Sequence, residues 1–195
     1  MPRLPIYILI DTSGSMHSGR IGFLKNGLRL LLSSLRQNPY LLDLGYLSII
    51  TYNTHAKEIL PLTSIEEIVL PEFTCSGAGC LGAALECVAQ TARRNYLTGG
   101  KRDKRPYLYI FTDGKPSDPF VYEAMIPIIK SLGFSIITVC TIELLDTDME
   151  TFQQLADVII PLSIGDRHYF EQFSITPLTV HIDEPVTPLG VRWGI

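Results

Sequence analysis

Charge is scarce in this chain. Charged residues make up 18% of its 195 positions, below the usual quarter, while apolar residues make up 46%. That balance favours a well-buried α/β core and a surface partly covered by a partner. There is no basic excess: a net charge of −4 and a pI near 5.5 argue against nucleic-acid binding. Long apolar runs are missing too. Leu4–Ile10 is too short, and too soon followed by Asp11, for a signal peptide or a membrane span. The chain is therefore expected to be soluble and cytoplasmic, without membrane contact. No Cys-x-x-Cys pair occurs among the cysteines at 75, 80, 87 and 140, and the histidines at 17, 55, 168 and 181 show no ligand spacing. A zinc site is disfavoured on both counts.

Two apolar runs end in a carboxylate. In Tyr7–Ile8–Leu9–Ile10–Asp11–Thr12–Ser13–Gly14–Ser15–Met16, a buried strand delivers Asp11 to its C-terminal end and hydroxyls follow at alternate positions. About a hundred residues later, Tyr107–Leu108–Tyr109–Ile110–Phe111–Thr112–Asp113–Gly114 repeats the pattern with Asp113. In open α/β sheets ligands bind at that edge of the strands. Taken singly, Asp11 and its serines read equally well as a helix cap, and Asp113 as a turn former ahead of Gly114. Taken together, Asp11, Ser13, Ser15 and Asp113 form an all-oxygen set suited to a hard divalent cation that keeps some of its waters.

Between them the periodicity is that of an α/β domain. Ile21, Leu24, Leu28, Leu31, Leu32 and Leu35 mark an amphipathic helix that Asn38–Pro39 stops. Residues 46–52 and 56–62 read as strands paired antiparallel, and Ser64 opens a short helical turn before Pro71. A helix over 81–97, a strand from 107, a helix over 119–132, a strand over 135–141, a helix around 149–156, a strand over 158–162 and a helix over 166–173 complete the domain. The fold class expected is a doubly wound, mostly parallel six-stranded sheet with one antiparallel edge strand. Acids at 143, 146, 148 and 150 would give the binding edge a negative rim. Six basic residues between 93 and 105 fall at the opposite edge, where a solvated loop explains them. Residues 174–195 alternate apolar and polar around Asp183–Pro188, which predicts an accessory β-hairpin holding the only Trp, Trp193.

Enzyme readings fare poorly. Gly77–Ala78–Gly79–Cys80–Leu81–Gly82 is literally G-x-G-x-x-G ahead of a helix. However, Pro71–Ser76 before it is no buried strand, and no acid ends a strand about 20 residues later, as a dinucleotide site requires. A phosphatase with Asp11 as nucleophile would need an acid two residues on, where Ser13 stands. A binding module is the reading left, with a nucleotide-binding enzyme the weaker alternative.

The segments Asp11-x-Ser13-x-Ser15, Ser76–Leu85 and Thr112–Asp113–Gly114 resemble the von Willebrand factor A domain family, over residues 5 to about 173. The resemblance implies a Rossmann-like fold over residues 1–173 and a metal-ion-dependent adhesion site. Mg²⁺, or Mn²⁺ or Ca²⁺, would there await an Asp or Glu carboxylate from a protein partner. Leu35–Arg36–Gln37–Asn38–Pro39 and Lys115–Pro116–Ser117–Asp118 further resemble the bacterial tellurium-resistance TerY type, which implies a kinase or phosphatase as that partner. At the family's metal-binding Thr this chain has Gly79. A weakened site with water, Ser76 or Thr74 completing the ligands is expected, and a metal-independent scaffold is the alternative.

Overall fold

The computed structural model describes residues 2–17, 19–98, 103–144 and 146–164. A six-stranded sheet runs through them in the order β3-β2-β1-β4-β5-β6, with β1 at Leu4–Asp11, β2 at Gly45–Tyr52, β3 at Ala56–Ser64, β4 at Tyr107–Thr112, β5 at Ile136–Ile142 and β6 at Val158–Leu162. β3 alone is antiparallel, pairing with β2 at the edge. The other five strands are parallel, as the sequence predicts.

The alternation of side chains along each strand sorts the core into two layers. Ile6, Ile8 and Ile10 of β1 face α1 (Arg20–Gln37) and α2 (Pro39–Leu44), meeting Leu24, Leu28, Leu31, Leu35 and Leu41. Tyr7 and Leu9 face the other way, toward α3 (Leu81–Thr98) and α4 (Pro119–Ser131), among Leu81, Leu85, Val88, Ile126 and Ile129. Burial on both faces is why β1 and β4 read as continuous apolar runs rather than alternating ones. Leu9, Ile10, Ile110 and Phe111 have no solvent exposure at all, so both acid-bearing strand ends hang from the most rigid part of the molecule.

Helices depart from expectation in three places. Asn38 both ends α1 and opens α2, its side-chain oxygen accepting from the amides of Tyr40 and Leu41 at 3.0 and 3.3 Å. The stop signal at Asn38–Pro39 is thus also a start signal, with Pro39 in the first turn. The helical turn expected from Ser64 is a single one and goes no further: Ser64 closes β3, and the Glu67 amide donates to its carbonyl at 3.0 Å. Arg36 explains it. Its guanidinium binds the carbonyls of Ile65, Glu66 and Ile68 at 3.1, 3.2 and 2.7 Å, the groups a helix would have used internally. The helix expected at 149–156 is a 3-10 segment, Asp146–Phe152. It ends on a fully buried Phe152 ring set edge-on to Tyr122, with centroids 6.4 Å apart. The expected helix at 166–173 and hairpin in 174–195 lie outside the described residues.

α3 and α4 approach closely at Gly82. A Cβ there would stand 2.4 Å from the amide nitrogen of Tyr122 and 2.7 Å from the carbonyl carbon of Val121. Backbone cannot yield as a side chain can. Gly82→Ala should therefore destabilise the fold by about 1–3 kcal/mol through overpacking. Urea denaturation checks it as a lower midpoint with an unchanged slope.

Candidate functional site

The parallel register brings Asp11, Tyr52 and Thr112 to one edge, with Asp11 opposite Tyr52 and Ile10 opposite Phe111. Asp11 is 3% exposed. Its Oδ1 accepts the Ser13 amide at 2.8 Å, and its Oδ2 accepts the Thr112 hydroxyl at 3.3 Å. The loop after β1 then turns through a short 3-10 segment, Gly14–Met16, pinned by the fully buried Met16. That turn lines up the hydroxyls: Ser13 Oγ lies 3.0 Å from Ser15 Oγ, and Ser15 Oγ donates to Asp113 Oδ1 at 2.9 Å. Hydrogen bonds through the Ser13 amide and the two serine hydroxyls thus link the two carboxylates, and the four residues singled out in the sequence converge.

Neighbouring loops are stitched to this network through their backbones. The Ser76 amide donates to the Thr12 carbonyl at 2.8 Å and the Gly14 amide to the Gly77 carbonyl at 2.9 Å. The Cys80 amide reaches the Asn53 carbonyl at 3.0 Å. Gly79 sits directly against the site: a Cβ there would be 3.2 Å from Asp11 Oδ2 and 3.6 Å from Ser13 Oγ. Of the two substitute ligands expected, Ser76 turns its hydroxyl to accept from Asn53 Nδ2 at 3.2 Å, and Thr74 is exposed with no hydrogen bond to the network. Asp118, beyond Asp113, caps α3 by accepting the amides of Gly82 and Ala83 at 3.0 and 2.9 Å.

Two further residues reach the site from outside the predicted ligand set. Arg20, the first residue of α1, places Nη1 3.1 Å from Asp113 Oδ2 and 3.0 Å from the Ser15 carbonyl, with Nε 3.4 Å from Glu143 Oε2. Glu143, expected as part of a negative rim, is therefore paired, as is Asp148 with Lys115 at 2.7 Å. Two of the rim's four acids are thus paired. No local signal marks Arg20, because its partners lie 93 and 123 positions away.

Burial raises the Asp11 carboxyl above the usual range, against the Ser13 bonds that lower it, and the charge of Asp113 adds to the rise. The fully buried Tyr52 phenol, beside Asp11 and Thr112, has no hydrogen bond of good geometry, and its pKa is raised by burial and then by the Asp11 charge. A carboxyl raised in the folded state binds protons that the unfolded chain releases. Its contribution to stability falls as pH rises from the ordinary carboxylate range through the raised value, and the cost persists at neutral pH. Asp11→Asn keeps an acceptor for the Ser13 amide, and the Thr112 hydroxyl can rotate to accept the new amide. In chelator at pH 7 it should raise the melting temperature, with little difference from wild type near pH 3; a thermal melt at both pH values checks this.

The donor set suits a small hard cation. It is all oxygen, has two carboxylates, and Gly79 leaves the Asp11 and Ser13 face clear for an ion and its waters. Among the described residues no group of three or more His, Cys, Asp or Glu could hold a metal, so a soft or all-protein cage is not what this edge offers.

In sequence the chain matches the model of the von Willebrand factor type A domain over residues 6–115. No curated protein matches it. Among solved structures it resembles the pilus adhesin SpaC from Lactobacillus rhamnosus GG in its open conformation, at 14% identity and a TM-score of 0.70 over 89% of this chain and 29% of that one. It also resembles manganese-loaded TRAP protein of Plasmodium vivax, at 17% identity and 0.57 over 88% of this chain and 62% of that one. A third likeness is proximal thread matrix protein 1 of the mussel byssus with a zinc-occupied MIDAS motif, at 15% identity and 0.58 over 89% of this chain and 45% of that one. At such identities these likenesses speak to the fold alone, and the chain spans less than two thirds of each protein. The sequence match covers more than half of the chain and contains both carboxylate-bearing strand ends: the chain belongs to the von Willebrand factor type A domain family.

Proposed function

We propose that the chain is a protein-binding module in which Asp11, Ser13, Ser15 and Asp113 hold Mg²⁺, or Mn²⁺ or Ca²⁺ in its place, and a partner's Asp or Glu completes the site. The observation that carries this reading is the hydrogen-bonded network from Asp11 to Asp113 at an open sheet edge. The bound ion would supply a Lewis-acid position for the incoming carboxylate. Asp11 and Asp113 balance charge, and the two serines fix the spacing between them. Ser76 and Thr74 are weaker candidates than water for the position Gly79 leaves open. The zinc and manganese of the similar structures support a divalent ion, and an all-oxygen set without Cys or His favours Mg²⁺ over softer metals.

A non-catalytic role agrees with the pilus adhesin among the similar structures. The finer setting is a TerY-like one, in the cytoplasm of a bacterium under stress, with a kinase or phosphatase as partner. It rests on the resemblance of residues 35–39 and 115–118. The second reading, a scaffold that binds without metal, is favoured by the Arg20–Asp113 ion pair, which neutralises one carboxylate from within.

Asp11→Ala should abolish the calorimetric signal for Mg²⁺ while the circular dichroism spectrum stays that of wild type. A partner bound equally well by this variant, or in chelator, would make the metal-free scaffold correct. Gly79 offers a graded test. Its φ is outside the positive region, so a side chain is compatible with the backbone there. Gly79→Thr should tighten Mg²⁺ several-fold by adding a neutral oxygen next to Asp11. Gly79→Ala, which adds the same crowding without the oxygen, should not. Equal affinities for the threonine and alanine variants would remove residue 79 from the ion's surroundings.

A further inference from the structure

We infer that Arg20 is a built-in competitor for the metal: its guanidinium is the resident cation of the site and must leave Asp113 for a divalent ion to bind tightly. The inference rests on the metal-site reading above and adds to it a residue that sets occupancy.

The geometry assigns this role to Arg20 in three ways. First, both carboxylate oxygens of Asp113 are already engaged and shielded from solvent. Oδ1 takes the Ser15 hydroxyl at 2.9 Å and Oδ2 takes Arg20 Nη1 at 3.1 Å, and the side chain is 1% exposed. Second, Arg20 is clamped rather than loosely placed. Nη1 also reaches the Ser15 carbonyl at 3.0 Å, and Nε approaches Glu143 Oε2 at 3.4 Å, so one planar fork ties α1 to the ends of β4 and β5. Glu143 sits in left-handed backbone, φ 54°, a conformation a glutamate rarely adopts. The Glu143 amide holds it there by donating to the Leu162 carbonyl at 3.0 Å. Third, Asp113 is shared ground: an ion held on its carboxylate would stand within a few ångströms of the clamped guanidinium, where two cations repel one another.

When Arg20 lets go, Glu143 loses its partner as well, so occupancy at β1 and β4 is coupled to the loop after β5. Glu143 lies outside the proposed ligand set, which separates its response from that of a ligand.

The test is Mn²⁺ affinity by electron paramagnetic resonance for wild type, Arg20→Gln and Arg20→Lys, with folding checked by circular dichroism. Arg20→Gln should bind Mn²⁺ at least about tenfold more tightly than wild type, since a unit charge in contact with a ligand is removed. Arg20→Lys, which keeps the charge, should stay nearer wild type. As an independent readout, Mg²⁺ added to the wild-type protein should shift the Arg20 Nε–H resonance in ¹⁵N spectra, reporting release from Glu143. Equal Mn²⁺ affinity in wild type and Arg20→Gln, with Mg²⁺ leaving the resonance unmoved, overturns the competitor role while the metal site stands. No Mn²⁺ binding in any of the three folded proteins overturns both.

Discussion

A carboxylate that is 3% exposed, at the end of a central strand, is the constraint around which this edge of the protein is arranged. Burying Asp11 carries a desolvation cost that shows as a raised pKa. The surroundings offset that cost only in part, with one backbone amide and one threonine hydroxyl. The loops then close over it through main-chain bonds: Ser76 to Thr12, Gly14 to Gly77, Cys80 to Asn53. Because those bonds are backbone to backbone, the floor of the site is fixed by the fold rather than by side-chain choice. Such a floor is pre-organised for whatever cation relieves the charge at its centre.

That cation has two candidate sources, and they compete. Arg20 supplies one from within, through its ion pair with Asp113 at 3.1 Å. A divalent ion would supply the other, from solution. The two serine hydroxyls serve both states, since an Oγ that donates to Asp113 in one arrangement presents a lone pair to an ion in the other. In the competitor reading, the consequence of this ion pair is the threshold at which the edge would take up an ion.

The sheet and the two main helical layers were legible because they come from local pattern. Continuous apolar runs gave β1 and β4, and the spacing Leu24, Leu28, Leu31, Leu35 gave α1. Asp11, Ser13, Ser15 and Asp113 were legible for a related reason: each closes or follows such a run, and parallel pairing brings strand ends together. What the pattern does not carry is a long side chain reaching across the fold. Arg36 binds the carbonyls of the 65–68 turn from α1, and Arg20 reaches Asp113 from the first residue of that helix. Asn38 was ambiguous for a different reason, since one residue ends a helix and caps the next.

The glycines of Gly77–Gly82 show how a motif can be literal and still mislead. They form a dinucleotide fingerprint by spacing, yet Gly77 and Gly82 are needed for separate structural reasons. Gly77 has φ 73°, and a Cβ on it would come 2.4 Å from the Thr54 hydroxyl, which itself accepts the Ala78 amide at 3.2 Å. Gly82 lets α3 meet the backbone of α4. Gly79 alone has neither a left-handed backbone nor a backbone clash, and the first atom a side chain would meet is the Asp11 carboxylate. Its carbonyl is already fixed by the Ser117 amide at 2.9 Å, so the loop's path does not depend on what residue 79 carries. Substituting Gly77 or Gly82 therefore perturbs the scaffold, whereas substituting Gly79 changes the chemistry of the site. A hydroxyl at 79 would be one more oxygen beside Asp11, and the glycine leaves that place to water. With Arg20 opposite, the proposed ion would meet one protein oxygen fewer and one resident cation more.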